Sequence, residues 1–228
     1  MALAGRGVLA IWNGIADEAE ADFVAWHVRE HIPERVAVPG FLRGRRYVAE
    51  AGAPRYFNFY ETERPETLVA PAYLERLNAP SDWTRRVVRH FRDTSRTVCS
   101  VAASLGTGDG AFVGTVRLTS RSGAGDLTRP VVISVAEPVL AEPGIVAVHL
   151  LEGQADVGGQ TAEKALRDRP DDQAAWILLI EATDREPLER IFAGDASRET
   201  LAAAGADHGD DDRGIYRLQY ALSRDQLR

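Results

Sequence analysis

Cysteine is nearly absent: Cys99 is the single one in 228 residues, which excludes an internal disulfide and any multi-cysteine metal site. Lysine is as scarce, since Lys164 is the one lysine among 27 basic residues and the rest are arginine. There is no excess of positive charge. Lys+Arg 27 against Asp+Glu 34 gives a formal net charge of -7, which argues against the clustered cationic surface that a nucleic-acid interface needs. Long apolar runs are missing too; Val8 to Trp12 is too short for a signal-peptide core or a membrane span. No dinucleotide-binding, P-loop, nucleophile-elbow or CxxC motif stands in a supporting context. These absences lead us to expect a reducing, cytoplasmic setting, no nucleic acid, no membrane, and a small apolar or aromatic ligand as the partner. The 45% hydrophobic and 27% charged composition is that of a soluble globular chain able to build a core.

Val8-Leu9-Ala10-Ile11-Trp12, ended by Asn13-Gly14, reads as a strand leaving into a turn. Asp17 can cap a helix from Glu18 to about Val36, with Phe23, Val24, Trp26, Val28 and Ile32 near helical spacing and Pro39-Gly40 as the stop. Phe41 to Ala49 and Arg55 to Glu61 form a predicted hairpin around Gly52-Ala53-Pro54. A helical stretch opens at Pro65-Glu66 and, past a break at Pro80, runs through Trp83, Val87, Val88 and Phe91; Thr97 to Ser104 follows as a strand. The order is βαββαβ.

Gly106-Thr107-Gly108-Asp109-Gly110 cannot continue either periodicity and is the natural linker. Beyond it the order recurs: a strand Ala111 to Thr119, a helix from Leu127 to about Ala141, strands Ile145 to Glu152 and Ala175 to Ala182, a helix from Glu186 into Ala204, and a strand Ile215 to Ser223. The same 32 residues separate Gly7 from Pro39 and Ala111 from Pro143. Coincidence of a coarse element order is the alternative, and the matched spacing favours duplication. We therefore expect an α+β fold of two ferredoxin-like βαββαβ halves, 1-106 and 107-228, with antiparallel sheets face to face and helices outside, because one such sheet leaves a face open. The segment Gly153 to Gln173 reads as a mobile surface insertion without chemistry.

Trp26-His27-Val28-Arg29-Glu30-His31-Ile32-Pro33-Glu34-Arg35, followed by Val38-Pro39-Gly40-Phe41 and Arg45-Arg46-Tyr47, resembles the passage from first helix to second strand in the dimeric α+β barrel superfamily, particularly its EthD-like members. There a tryptophan or tyrosine, a histidine and an HxP…PG pattern precede the second strand. The resemblance covers the N-terminal half, and the C-terminal half only by element order and Pro143-Gly144. It implies an intramolecular version of that barrel and a ligand cavity between helices and sheet within one half. The superfamily spans cofactor-free monooxygenases, isomerases and dehydratases acting on aromatic or lactone substrates, heme enzymes, and members with no known reaction, so fold alone does not select an activity.

His27 and His31, four apart, share one helix face with Phe23 a turn earlier. Such a pair can hold a metal, or one imidazole can act as general base while the other orients it. A third metal ligand at recognisable spacing is missing, so no metal is expected, and no cofactor. The competing reading has both histidines at the helix edge, bonded to backbone or to Glu30 and Glu34. Trp12 and Asn13, Trp26, Arg46, Tyr47, and Tyr56, Asn58 and Tyr60 offer aromatic and polar lining. Alternation puts Tyr56, Asn58 and Tyr60 opposite Phe57 and Phe59 without saying which face is which. Arg45-Arg46, and Arg85-Arg86 with Arg89-His90, could neutralise a carboxylate on a substrate, but a solvated surface explains them equally and is favoured; Cys99 reads as a buried inert thiol.

At an offset of 104 His27 maps to Val131, His31 to Val135 and Trp12 to Val116, so any site belongs to the first half, and His149 is a core or surface histidine. The function expected is cofactor-independent proton transfer or oxygenation on an aromatic, enol or lactone substrate, carried by His27 with His31. The rival is a non-catalytic ligand-binding or stress-response barrel; a heme protein is a third reading that no histidine singles out. A further pairing of the chain into a homodimer is left open.

Overall fold

Residues 3–121, 125–154, 159–166 and 171–227 are described by a computed structural model of the chain. The run of β-branched and aromatic residues forms β1 (Gly7–Ile15). It does not turn at Asn13-Gly14 as expected; a bulge between Trp12 and Gly14 lets it pair on to Ile15. A 3-10 turn at Asp17–Ala19 leads into α1 (Glu20–Trp26), and α2 (Ile32–Ala37) completes the first helix.

Between α1 and α2 the helix widens into a π turn, His27–His31, in which the Ile32 N–H donates to the His27 carbonyl. Pro33 supplies the reason. A proline ring strikes the carbonyl four residues back in a regular helix and gives no N–H, and a widened turn just before it relieves both conflicts. Gly40, at φ +87, then turns the chain, and a side chain there would meet Thr67. β2 (Phe41–Ala51), β3 (Tyr56–Thr62), α3 (Pro71–Asn78), α4 (Asp82–Val88) and β4 (Phe91–Gly106) follow. The helix expected to reach Phe91 stops at Val88, and β4 is twice as long as the pattern around Thr97 to Ser104 suggested.

The second half gives β5 (Phe112–Ser120), α5 (Thr128–Val131), a π turn at Val132–Ala136, α6 (Glu137–Leu140), β6 (Ile145–Gly153) and β7 (Trp176–Ala182). Then come α7 (Arg185–Ala193), α8 (Arg198–Ala203), the short β8 (Ala206–Asp207) and β9 (Arg213–Ser223). The single helix expected from Glu186 to Ala204 is two helices, because Ser197 caps a new one by accepting from Thr200 N–H. Pro138 follows the second π turn as Pro33 follows the first. From β1 through the π turn the equivalent elements of the halves stand 105 apart, not 104. His27 therefore corresponds to Val132, His31 to Ala136, and Trp12 to Arg117 rather than Val116.

The strands of the first half adjoin in the order β4-β1-β3-β2 and those of the second in the matching order β9-β5-β7-β6. The two sheets do not merely face each other. β2 pairs with β9 and β4 with β6, all antiparallel, so the eight long strands close into one barrel. Closure removes the edges of both sheets, and β1, β3 and β7 are buried on both faces, whereas β9 keeps Arg217, Gln219 and Ala221 exposed. Val8, Ala10, Trp12, Tyr47, Phe57, Phe59, Leu151, Ile177, Leu179 and Tyr216 fill the barrel interior. Leu9, Ile32, Val36, Phe41, Tyr60 and Tyr73 pack between sheet and helices of the first half, as Val116, Val131, Val135, Leu178 and Leu188 do in the second. No helix among the described residues is long and apolar enough to cross a membrane.

The barrel interior carries charge at one end. Arg45, 2% exposed, bonds Glu61 at 3.0 Å and Glu181 of the other half at 3.0 Å. The glutamates also accept the backbone N–H groups of Ala4 (2.7 Å) and Gly110 (2.8 Å), respectively. His149 lies 3.5 Å from Glu181 and hydrogen-bonds Ser104. Arg45 is thus no solvated arginine; it ties the two halves.

Candidate functional site

The helix stripe Phe23, His27, His31 and Arg35, one residue per turn, lies over β1, β3 and β4. Phe23 and His27 rings stack at 5.0 Å and 24°, His27 and His31 at 5.2 Å and 15°, and Trp26 closes against His31 at 4.2 Å. Both histidines are buried, so the reading that put them at a solvent-facing edge is not what the fold makes. Beneath them is a cavity of about 30 Å³, lined among others by Trp26, His27, His31, Asn58, Tyr60 and Tyr73, with Arg35, Arg96 and Glu163 at one end. That volume is room for one or two water molecules.

The polar groups are held from several elements. His27 Nε2 and the Tyr60 hydroxyl share a hydrogen bond of 3.4 Å whose direction follows the imidazole tautomer. His27 Nδ1 has no hydrogen-bond partner among the described residues. Asn58 Nδ2 donates to Asn13 Oδ1 at 2.8 Å, and Trp26 Nε1 to Thr84 Oγ1 at 3.2 Å. Arg96 donates to the Tyr73 hydroxyl at 3.1 Å, and Arg35 stands 5.9 Å over the Tyr73 ring while pairing with Glu163.

Burial holds His27 well below the ordinary imidazole pKa, and the positive charges of Arg46 and Arg35 add to the effect. It is therefore neutral at physiological pH. Tyr60 is pushed far up by burial and stays protonated. A neutral imidazole beside a protonated phenol, shielded from water, can accept or return a proton at a substrate atom. No trio of His, Cys, Asp or Glu among the described residues could hold a metal.

Strand parity sorts the residues proposed from sequence. Tyr60 and Trp26 line the cavity. Trp12 and Tyr47 do not: they point to the barrel interior, where Trp12 stacks on Phe57 at 4.7 Å and lies under Arg117 at 5.5 Å. Alternation along β1 and β2 puts them on the opposite face from Leu9 and Asn13. Arg46 is on the helix side, 3% exposed, donating to the Val24 carbonyl and to Gln219 Oε1, and it acts on His27 by charge rather than by lining the cavity. Cys99 is buried in the barrel interior, its thiol pushed up by desolvation.

Four polar lining residues, Arg35, Tyr73, Arg96 and Glu163, escaped the sequence reading. Arg35 was within reach, since it continues the Phe23-His27-His31 stripe by one turn. Tyr73 and Arg96 depend on the packing of α3 and β4. Glu163 had no local signal, because it comes from the segment taken for a mobile insertion. That segment's residues 159–166 and 171–173 instead lie on the first half: Glu163 N–H donates to the Leu77 carbonyl (3.0 Å), Ala162 N–H to Asn78 Oδ1 (3.1 Å), and Arg96 N–H to the Asp172 carbonyl (2.8 Å). Gly158 of that stretch lies outside the described residues.

Fold and site together define a single-chain α+β barrel with a helix-covered polar cavity on one half. Neither a protein-family model nor a curated protein sequence matches the chain. Solved structures do. An anthrone oxidase-like protein superposes with TM-score 0.63 at 16% identity over 97% of this chain and 94% of the other. A candidate monooxygenase of Fusobacterium nucleatum gives 0.57 at 9% over 97% and 96%, and a heme-binding protein of Thermus thermophilus gives 0.52 at 13% over 98% and 93%. The chain has the fold of the dimeric α+β barrel superfamily.

A heme does not fit the residues present. A porphyrin is many times larger than a benzene ring, which itself fills a cavity of about 150 Å³. His27, the central ring of the stack, is sandwiched between Phe23 and His31 with Nε2 against Tyr60.

Proposed function

We propose that this chain is a duplicated βαββαβ unit of the EthD-like kind whose first half works as a small-molecule enzyme, with His27 moving a proton on an aromatic, enol or lactone substrate. One observation carries the reading: a buried imidazole, held neutral, lines the cavity with one ring nitrogen shared with Tyr60 and the other without a hydrogen-bond partner among the described residues. A site of this kind removes an acidic C–H or O–H proton, and the anion is then either reprotonated on another atom or, at carbon, bonds dioxygen to give a hydroperoxide that takes the proton back and loses water to leave a carbonyl, dioxygen being the oxidant. Tyr60, when the His27 Nε2–H donates to it, has its hydroxyl proton free to donate to the oxygen on which negative charge grows. His31 and Phe23 hold the His27 ring by stacking, and burial, with the charge of Arg46 added, keeps it from carrying a proton at rest. The second half has Val132 and Ala136 at the equivalent positions and serves as the closing half of the barrel.

The anthrone oxidase-like neighbour suggests anthrone, whose methylene protons are acidic, as the probe. Exchange of that methylene with deuterium oxide, followed by proton NMR, should be accelerated by the wild-type protein. His27→Gln, which keeps volume and removes the base, should lower the rate by about 100-fold or more. Equal rates for wild type and variant would remove His27 from the chemistry.

A further inference from the structure

The cavity as folded is water-sized, so a ligand must displace something. Among the described residues, the element laid over it from outside the first half is the strap 159–166. Its link into the cavity is the ion pair between Glu163 and Arg35, whose side chains are 10% and 3% exposed. Two further bonds, from Glu163 and Ala162 N–H to Leu77 and Asn78, fix it on α3. The charges at this end of the cavity do not balance. Two guanidiniums, Arg35 and Arg96, line it against one carboxylate, Glu163. Arg96 is 8% exposed, and its side-chain partner among the described residues is the neutral Tyr73 hydroxyl. Glu34 reaches Arg35 only at 3.7 Å and is itself held by Arg76 at 3.1 Å.

A neutral ligand that lifted the strap would leave Arg35 and Arg96 buried with one carboxylate fewer and would bind more weakly than an anion for that reason. A carboxylate would replace the lost one. We propose that the ligand of this cavity is an aromatic or enolic carboxylate, whose carboxylate group displaces Glu163 from Arg35 and so opens the space in which its ring meets Trp26, Tyr60 and His27. The inference rests on the reading that this cavity is the small-molecule site, and it gives that site a substrate class. Glu163 is the built-in occupant of the ligand's anionic subsite, contributed by the half that lacks the histidines.

The test is calorimetric titration with benzoate and its neutral isostere benzamide. Wild type should bind benzoate about tenfold more tightly than benzamide or better. Glu163→Gln, which removes the competing carboxylate, should tighten benzoate by about tenfold again and benzamide with it, keeping the preference, because neither probe then has to break the Arg35 pair. Arg35→Met should abolish the preference, and if that variant does not fold, wild type and Glu163→Gln still decide. Equal affinity for the two probes, no binding of benzoate, or weaker benzoate binding by Glu163→Gln each overturns the inference. His27→Gln should keep the benzoate preference. Lost proton exchange with an intact preference therefore counts for the catalytic reading, while exchange without the preference sinks the carboxylate inference alone.

Discussion

Glu181 sits 2% exposed at the seam between the halves, with Arg45 Nη1 at 3.0 Å, the Gly110 N–H at 2.8 Å and His149 at 3.5 Å. Although burial alone would raise its pKa, the nearby His149 imidazole, the charge of Arg45 and the Gly110 N–H together hold it near 2, against an ordinary 4.5. The depressed value means the folded state holds the carboxylate more strongly than the unfolded chain does. Its contribution is therefore present in full above the unfolded value and is lost as pH falls from about 4.5 toward 2. The difference is worth about 3 kcal/mol, at 1.36 kcal/mol per pKa unit. Glu181→Gln leaves Arg45 buried with one carboxylate fewer and should cost about 3–5 kcal/mol at pH 6. At pH 2 the folded wild type has taken up about half of that proton and the unfolded chain nearly all of it, so the gap between the two proteins should have closed by about 3 kcal/mol. Urea unfolding of both proteins from pH 6 to pH 2, followed by tryptophan fluorescence, measures this directly. Parallel stability curves would refute the reasoning, because they would mean that Glu181 titrates alike folded and unfolded.

Two further outcomes follow from the geometry. His27 should stay neutral through pH 6 in side-chain NMR; because the unfolded chain takes up that proton first, wild type should lose stability relative to His27→Gln as pH falls below about 6.5, and a His27 that titrates near 6.5 contradicts the burial argument. Gly44→Ala should destabilise by about 1–3 kcal/mol in urea unfolding, because a Cβ there would lie 2.9 Å from Ile32 and 3.0 Å from the Tyr60 ring; an unchanged midpoint would show that α2 rides less tightly on β2 than described.

The order of elements was legible in the sequence because strands, helices and Pro-Gly stops each leave a local mark. The face of each strand was not. On a half-exposed sheet, polar residues label the solvent side, but closure of the barrel buries both faces of β1 and β3, so Phe57 and Tyr60 look equally internal. Trp12 and Tyr47 were therefore assigned to a cavity that lies behind their backs. The π turns escaped because the pattern at Pro33 and Pro138 reads as helix on either side, and with them went the single-residue shift that makes Arg117, not Val116, the counterpart of Trp12. Glu163 was out of reach for another reason: its meaning lies in a pair with Arg35, 128 residues away, which no local window contains. His27 and His31 were visible because their spacing puts both rings on one face whether the turn is α or slightly wider.

The central claim is that ligands enter the helix-covered cavity of the first half and not the barrel interior. The four tryptophan indoles report on it separately, since Trp26 lines the cavity with its Nε1 on Thr84, Trp12 stacks inside the barrel, and Trp83 and Trp176 lie elsewhere. Nitrogen-15 correlation spectra recorded during a benzoate titration should show the Trp26 indole signal moving while that of Trp12 stays fixed. Movement of Trp12 with Trp26 unmoved would place the ligand in the barrel and contradict the account.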